Sequence, residues 1–451
     1  MSRPTEEAPR QPPKGHTNDI VGTTGMSFAD MGIKQSVLQG LRAREWLHPT
    51  PIQEQGIPEI LKGSNCVIRA KNGTGKTGTF SIPVLQMVDP TKRHIQAVVL
   101  CRSRELAMQI AKEIKELGQF VPTAGGGQEG EHPLYVMCSI GGHPTGDDII
   151  RLETQPIHVL VGTPGRLKAL ADRRKARLDR VKLFILDEAD TFMEEKGDRD
   201  VYSLMSHMRS HHRQKSNPLQ IVMASATFNK VTKKYIDRNM PSDYKLVNAM
   251  QSKEIVPIGL SLYYAYVPVV NNRVRKGQAL NMLLSNLSVN KAIIFVNRRE
   301  TAQKLYNFLK KLGYDAVNYS HSGLDEDERE KIFHSFRESG INFLITTDIM
   351  ARGIDNPNVN VVINYDLPMK GESFLHRAGR GGRYGQKAIC ISILAEQREL
   401  QLMSDIMRQL AVEIKHIKSV ADIPASEYVS DANEADTQDE DDEDEGPASL
   451  N

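Results

Sequence analysis

The segment Ala70-Lys71-Asn72-Gly73-Thr74-Gly75-Lys76-Thr77 constrains this chain more than any other. It follows a short apolar run, Cys66-Val67-Ile68, and opens a stretch of helical character that runs through Met87. A glycine-rich turn between a strand and a helix directs backbone N–H groups at one point, with the positive end of the helix dipole behind them. Gly73 and Gly75 keep side chains clear of a phosphate and permit positive φ. Lys76 is placed to reach the β- and γ-phosphates of a nucleotide, and the Thr77 hydroxyl to ligate Mg²⁺. Ala70 stands where the general pattern has its first glycine. The competing explanation is a plain glycine turn that caps a helix, and the Gly-Lys-Thr ending in this strand–turn–helix context speaks against it.

The stretches around this turn alternate between two periods. Phe28 to Leu47 is helix-periodic, and Thr50-Pro51-Ile52-Gln53 starts a second helix with Pro in its first turn. Ala97 to Cys101 is a buried-type strand and Ser103 to Leu117 a helix. Leu134 to Ile140, His158 to Val161, Leu183 to Leu186 and Gln220 to Ala224 are further apolar runs of strand length, each leading into a polar or glycine turn and a helical pattern. Gly125 to His132 is a polar, glycine-rich insertion that reads as a mobile loop. The pattern lapses at Asn248 to Pro257. A second series follows at Ala292 to Val296, Asp315 to Asn318, Asn342 to Thr346, Asn360 to Ile363 and Ala388 to Leu394. Strands alternating with helices predict an α/β fold with mostly parallel sheets. At 451 residues the chain exceeds one compact core. The division expected is a disordered segment over 1–24, a nucleotide-binding domain over 25–248, a linker over 249–257, a second domain of the same architecture over 258–425, and an acidic disordered tail over 426–451.

Charge bears on the partner. The net charge is +2, but residues 431–451 hold ten acidic side chains and no Lys or Arg. Without them 58 basic residues face 46 acidic ones, a net charge of +12. A basic body suits a polyanion, with solvated lysine faces as the competing explanation. No run approaches the roughly 18 apolar residues of a membrane span, and Met1 to Thr24 lacks the apolar core of a signal peptide. Cys66, Cys101, Cys138 and Cys390 are far apart and mostly lie in apolar runs. They read as reduced core residues of a cytoplasmic or nuclear protein.

Leu183 to Leu186 runs into Asp187-Glu188-Ala189-Asp190, which places carboxylates at the carboxyl edge of a parallel sheet, where the phosphate turn also lies. Asp187 is suited to the Mg²⁺ of a nucleotide, and Glu188 to orienting or deprotonating an attacking water. With this Asp-Glu-Ala-Asp, the chain from about Phe28 to Val412 resembles the DEAD-box RNA helicases of superfamily 2. The resemblance implies two tandem RecA-like domains, each a mostly parallel sheet flanked by helices, closing on ATP and single-stranded RNA.

Roles follow from the resemblance position by position. Gln53, in Pro49-Thr50-Pro51-Ile52-Gln53, reads adenine, since an amide both donates and accepts. Phe28 stacks on the base, and Trp46 is a packing residue. Ala70, Lys71, Asn72, Gly73, Thr74, Gly75, Lys76 and Thr77 form the phosphate loop, and the family accepts Ala at its first position. Thr77 and Asp187 hold Mg²⁺. Ser225-Ala226-Thr227 couples the ATP site to domain closure, through Ser225 and Thr227. In His376-Arg377-Ala378-Gly379-Arg380-Gly381-Gly382-Arg383, Arg380 is the arginine finger and Arg383 a second γ-phosphate contact, while Gly381 replaces the Thr, Ser or Ala common there. Asp355 contacts the ribose, with Arg352 as an internal ion-pair partner.

The implied RNA contacts are Arg104, Gly142, Thr163, Gly165 and Arg166 in the first domain and Thr347 and Arg329 in the second. Two departures stand out. Arg102-Ser103 replaces the usual Pro-Thr, and the extra charge either touches phosphate or points to solvent. Glu326 replaces the Gln of a Gln-x-x-Arg segment that ends at Arg329. The lack of aromatic base stackers fits backbone recognition of single-stranded RNA with little sequence specificity. The expected function is an RNA-dependent ATPase that opens short duplexes or remodels RNA–protein complexes, as a monomer, with protein activators or ribonucleoprotein components as further partners and no membrane. The short flanks resemble members acting in mRNA metabolism. The alternatives are an ATP-locked RNA clamp with slow turnover and a phosphate-loop enzyme of small-molecule metabolism.

Overall fold

The structure is a computed structural model that describes residues 24–71, 73–121, 134–192, 195–212, 218–226, 228, 230–249, 256–267, 275–338, 340–348, 356–383 and 386–429. It separates into two compact units that divide between residues 255 and 256. Asn72, Thr227, Arg352, Asp355, the 125–132 insertion, residues 1–23 and residues 430–451 lie outside the described residues, as does most of the expected linker. Residues 426–429, expected in the disordered tail, are described, and Tyr428 is buried in the core of the second unit.

The first unit holds seven strands: β1 (Cys66–Arg69), β2 (Ala97–Leu100), β3 (Val136–Ser139), β4 (Val159–Gly162), β5 (Leu183–Leu186), β6 (Gln220–Ser225) and β7 (Lys245–Asn248). They form one sheet in the order β3-β4-β2-β5-β6-β1-β7, with every pairing parallel. The second unit holds β8 (Leu260–Tyr266), β9 (Lys291–Phe295), β10 (Val317–Ser320), β11 (Phe343–Thr346), β12 (Val359–Asn364), β13 (Ala388–Leu394) and β14 (Lys415–Ile417). Their order is β10-β11-β9-β12-β13-β8-β14, again all parallel. Counted from the first strand of each unit the two orders are the same, so one architecture occurs twice without a visible sequence repeat.

Parallel strands need helical crossovers, which cover both faces of a sheet and make its strands apolar throughout. Alternate residues of each strand then enter opposite cores. Ile68, Val99, Ile185 and Val222 pack on the face covered by the helices Gln35–Ala43, Pro51–Leu61, Lys76–Met87 and Arg104–Leu117. Val67, Val98, Phe184 and Met223 pack on the other face, with apolar residues of the helices Pro164–Asp172, Glu195–His212 and Lys230–Asn239.

Two differences from the expected elements have physical causes. The pattern over Phe28–Leu47 forms a helix only over Gln35–Ala43, because Gly32 adopts a left-handed φ of 73° and Lys34 is extended at the cap. β7 is an edge strand in which Val247 alone is buried, so it lacks the apolar run of a central strand. Cys66, Cys101 and Cys390 are buried, Cys138 is half-buried, and all four are free thiols.

Candidate functional site

The strand order sorts the singled-out residues of the first unit into two halves of the carboxyl edge. β1, β6 and β5, adjacent in that region of the sheet, lead into the phosphate loop, Ser225 and Asp187-Glu188. β2, β4 and β3 lead into Arg104, Thr163-Gly165-Arg166 and Gly142. The boundary between the halves runs between β2 and β5.

On the first half, Gly73 and Gly75 take φ of 74° and 94°, and Gly75 caps the helix Lys76–Met87. The Thr74 hydroxyl donates to the Lys71 carbonyl at 2.8 Å and closes the turn. The Gly75 carbonyl accepts from the Gln53 side-chain amide at 3.2 Å and the Thr79 hydroxyl at 3.0 Å. Gln53 Oε1 in turn accepts from the Thr50 N–H at 3.0 Å, at the start of the helix Pro51–Leu61. A Cβ at Gly75 would lie 2.8 Å from both Gln53 Nε2 and Thr50 Oγ1, so the proposed base-reading residue and the phosphate turn are built against each other. Ala70 N–H donates to the Ser225 carbonyl at 3.4 Å, which joins the start of the loop to the coupling segment. Phe28 is 3 % exposed and packs in the core. Trp46 also packs against that core.

Asp187 extends the ladder at the end of β5, its N–H donating to the Leu100 carbonyl at 3.0 Å. Its carboxylate accepts from the Glu188 N–H at 2.9 Å. Burial first, then the neighbouring Glu188 charge, pushes the Asp187 carboxyl up to about 7, against the opposing pull of Lys76. Glu188 sits at φ 50°, a left-handed conformation uncommon outside glycine. Its Oε2 is buried and has no hydrogen-bond partner among the described residues. The Thr191 N–H and hydroxyl both donate to the Glu188 carbonyl, at 2.8 and 2.7 Å, and brace that conformation. A buried acceptor without a donor, beside a carboxyl that resists ionisation, fits a site completed by Mg²⁺ and water.

On the second half, Gly142 takes φ 108°, and the Arg104 guanidinium lies 3.2 Å from where a Cβ of Gly141 would be. Thr163 caps the helix Pro164–Asp172, whose first turn contains Gly165. Arg166 is committed internally: Nε donates to the Ile140 carbonyl at 2.8 Å, its other nitrogens to Thr145 Oγ1 and the His143 carbonyl, and it pairs with buried Asp148 at 3.2 Å. It therefore fixes the loop that carries Gly142. Arg102 donates to the Thr191 carbonyl at 2.8 Å, so its charge is directed into the protein.

The second unit repeats the division. Arg329, 9 % exposed on the helix Glu326–Arg337, and Thr347 follow β10 and β11, while Arg380 and Arg383 follow β12 and the helix Gly371–Ala378. Arg380 Nε donates to the His376 carbonyl at 3.0 Å and Arg383 Nε to the Gly379 carbonyl at 3.3 Å, which fixes the roots of both guanidinium groups. A Cβ at Gly381 would meet Ala388 Cβ at 3.0 Å and Val362 Cγ2 at 3.2 Å, so glycine lets this loop lie close on β12 and β13. The sequence reading passed over Arg377, which is 1 % exposed. It pairs with Asp348, donates to the Asp366 carbonyl at 2.6 Å and Asn297 Oδ1 at 2.7 Å, and lies over the Phe295 ring. Its signal is an arginine on the last turn of the helix Gly371–Ala378, ahead of the two arginines assigned to the γ-phosphate.

Two repeated parallel sheets, one bearing a phosphate loop and a carboxylate pair and the other an arginine-rich turn, define the tandem RecA-like class of fold. The comparisons with known proteins identify the family. The DEAD/DEAH box helicase family matches residues 50–235, and the helicase conserved C-terminal domain matches residues 275–385. The chain is 36 % identical over 418 residues to DEAD-box ATP-dependent RNA helicase 6 of Arabidopsis thaliana, with 93 % of this chain and 74 % of that protein covered. It is 37 % identical over 415 residues to ATP-dependent RNA helicase VAD1 of Cryptococcus neoformans, with 92 % of this chain covered, and spans 63 % of that protein's length. The solved structure of S. cerevisiae Dbp5 bound to RNA and ADP BeF3 superposes with a TM-score of 0.75 at 28 % identity, covering 91 % of this chain and 98 % of that one. The chain belongs to the DEAD-box family of ATP-dependent RNA helicases.

Proposed function

We propose that this chain is an ATP-dependent RNA helicase, an RNA-dependent ATPase that separates short RNA duplexes or remodels RNA–protein complexes in mRNA metabolism. The observation that carries the proposal is the division of the sheet edge, with the phosphate loop and carboxylate pair on adjoining strand ends and the candidate RNA residues on the strand ends beside them. The mRNA assignment rests on the family resemblance. Four free thiols suit a cytoplasmic or nuclear setting.

In this account Gln53 recognises adenine, and the N–H groups from Gly73 to Thr77 with Lys76 hold the phosphates. Thr77 and Asp187 hold Mg²⁺, which when bound offsets the charge of the phosphate oxygens. Glu188 orients the attacking water and takes its proton through the carboxylate that has an acceptor to spare. Arg380 and Arg383 stabilise charge on the transferring phosphoryl group, an effect of about 10³ to 10⁵ in rate where arginine fingers act. Asp355 holds the ribose, and Ser225 and Thr227 relay the state of the ATP site. Arg104, Gly142, Thr163, Gly165, Thr347 and Arg329 contact RNA phosphates and sugars, while Arg166 holds the first of these loops in place. Phe28 supports the adenine segment from the core.

A strand-displacement assay on a short RNA duplex tests the proposal. ATP-dependent release of a strand is expected. ATP-dependent retention of RNA with no strand released would instead establish the clamp.

A further inference from the structure

The two halves of the first sheet's edge must communicate if RNA is to stimulate ATP turnover, and the boundary between them is β2 against β5. The Arg102 side chain reaches across it beyond the strand ends. Arg102 follows β2, and its guanidinium donates to the Thr191 carbonyl at 2.8 Å, in the turn after β5. Thr191 in turn holds the Glu188 carbonyl with both its N–H and its hydroxyl. On the other side, Ser103 caps the helix Arg104–Leu117 by accepting from the Leu106 N–H at 3.2 Å. A continuous set of covalent and hydrogen-bonded links thus runs from the start of that helix, where Arg104 lies, through Arg102 and Thr191 to the backbone of Glu188. Glu188 is held in a left-handed conformation that costs energy and relaxes if its brace moves.

We infer that Arg102 is a positioning residue that sets Glu188 for water activation in response to RNA at Arg104. The inference rests on the functional reading above and adds to it a route of coupling through a residue that departs from the family pattern. A guanidinium donating to a backbone carbonyl across a strand boundary transmits displacement in a way that a phosphate ligand directed to solvent does not.

The test is Arg102→Ala and Arg102→Lys in the full chain, with steady-state ATP hydrolysis across RNA and ATP concentrations, RNA binding across salt, and thermal unfolding. Arg102→Ala is expected to lower the RNA-stimulated kcat about ten-fold, with RNA half-saturation and the ATP KM within about two-fold of wild type. Its RNA-binding salt slope is expected to match wild type. Arg102→Lys, which keeps one donor for the carbonyl, is expected to recover most of the loss and also serves if the alanine variant unfolds early. An unchanged kcat with weaker RNA binding, and a salt slope shallower by about 0.7, would make Arg102 a phosphate ligand and overturn the inference. Both variants behaving as wild type would overturn it as well. If wild type itself failed to respond to RNA, the functional reading would fall first and the inference with it.

Discussion

Arg377 grips the carboxylate of Asp348 with Nε and one terminal nitrogen, the latter at 3.0 Å, and so ties the helix Gly371–Ala378 to the end of β11. The same guanidinium holds Asn297 after β9 and the Asp366 carbonyl after β12. Three strand ends of the second unit are therefore fixed by one buried planar cation, next to the turn that carries Arg380. Arg377→Ala leaves these acceptors unpaired and is expected to destabilise the second unit by about 3 kcal/mol. Arg377→Lys keeps the charge but loses the fork, and should fall between wild type and Ala in urea unfolding. Wild-type stability in both variants would remove Arg377 from this structural role.

Among the described residues, Glu188 has a buried carboxylate oxygen without a donor, beside a carboxylate assigned to Mg²⁺. Glu188→Gln keeps the shape and removes the base. ATP binding, measured by titration of a fluorescent analogue, should be retained, while turnover drops about 10² to 10⁴-fold. Full turnover in this variant would refute the assignment of Glu188.

Gly381, a departure from the family pattern, lies close against β12 and β13. Gly381→Thr introduces a Cβ 3.0 Å from Ala388 Cβ, and a methyl and a hydroxyl beyond it. Overpacking of this kind should lower stability by about 1 to 2 kcal/mol, with Gly381→Ala losing less. An increase in thermal stability on Gly381→Thr would show that the turn is slack.

His158 gives the first unit a pH dependence of known sign. Its ring is fully buried, and Nδ1 accepts from the Tyr135 N–H at 3.0 Å. Burial lowers its pKa to about 4. An unfolded histidine titrates near 6.5, so between these values the unfolded chain binds the extra proton and stability falls as pH falls. The contribution lost between pH 6.5 and pH 5 is about 1.5 kcal/mol. His158→Gln retains an acceptor for Tyr135 without the titration, and its urea midpoint should fall less over this interval than that of wild type. Parallel pH profiles would contradict the assignment.

Most central strands and the phosphate turn were legible in the sequence because a parallel sheet covered on both faces demands uninterrupted apolar runs. Leu183–Leu186 leading into Asp187 is the clearest case. β8, interior to the second sheet, was not legible, since its run Leu260–Tyr266 mixes Ser and Tyr with apolar residues and is only partly buried. β7 and the three-residue β14 were not legible, since an edge strand buries little and its backbone pairing leaves no mark on composition. At the site, residue type and spacing pointed to Lys76 and Glu188, and the family resemblance to Gln53. Neither could foresee that Gln53 is pinned to Gly75, that Arg166 turns inward, or that Arg102 crosses to Thr191. Each of these depends on which strand ends become neighbours. The order β3-β4-β2-β5-β6-β1-β7 is a property of the packed sheet rather than of any one segment.

The most direct test of the central claim is steady-state ATP hydrolysis with and without single-stranded RNA, on wild type and Arg380→Ala. The account predicts RNA-stimulated hydrolysis in wild type and a loss of about 10³-fold or more in the variant. Hydrolysis indifferent to RNA, or stimulation that survives Arg380→Ala, would contradict it.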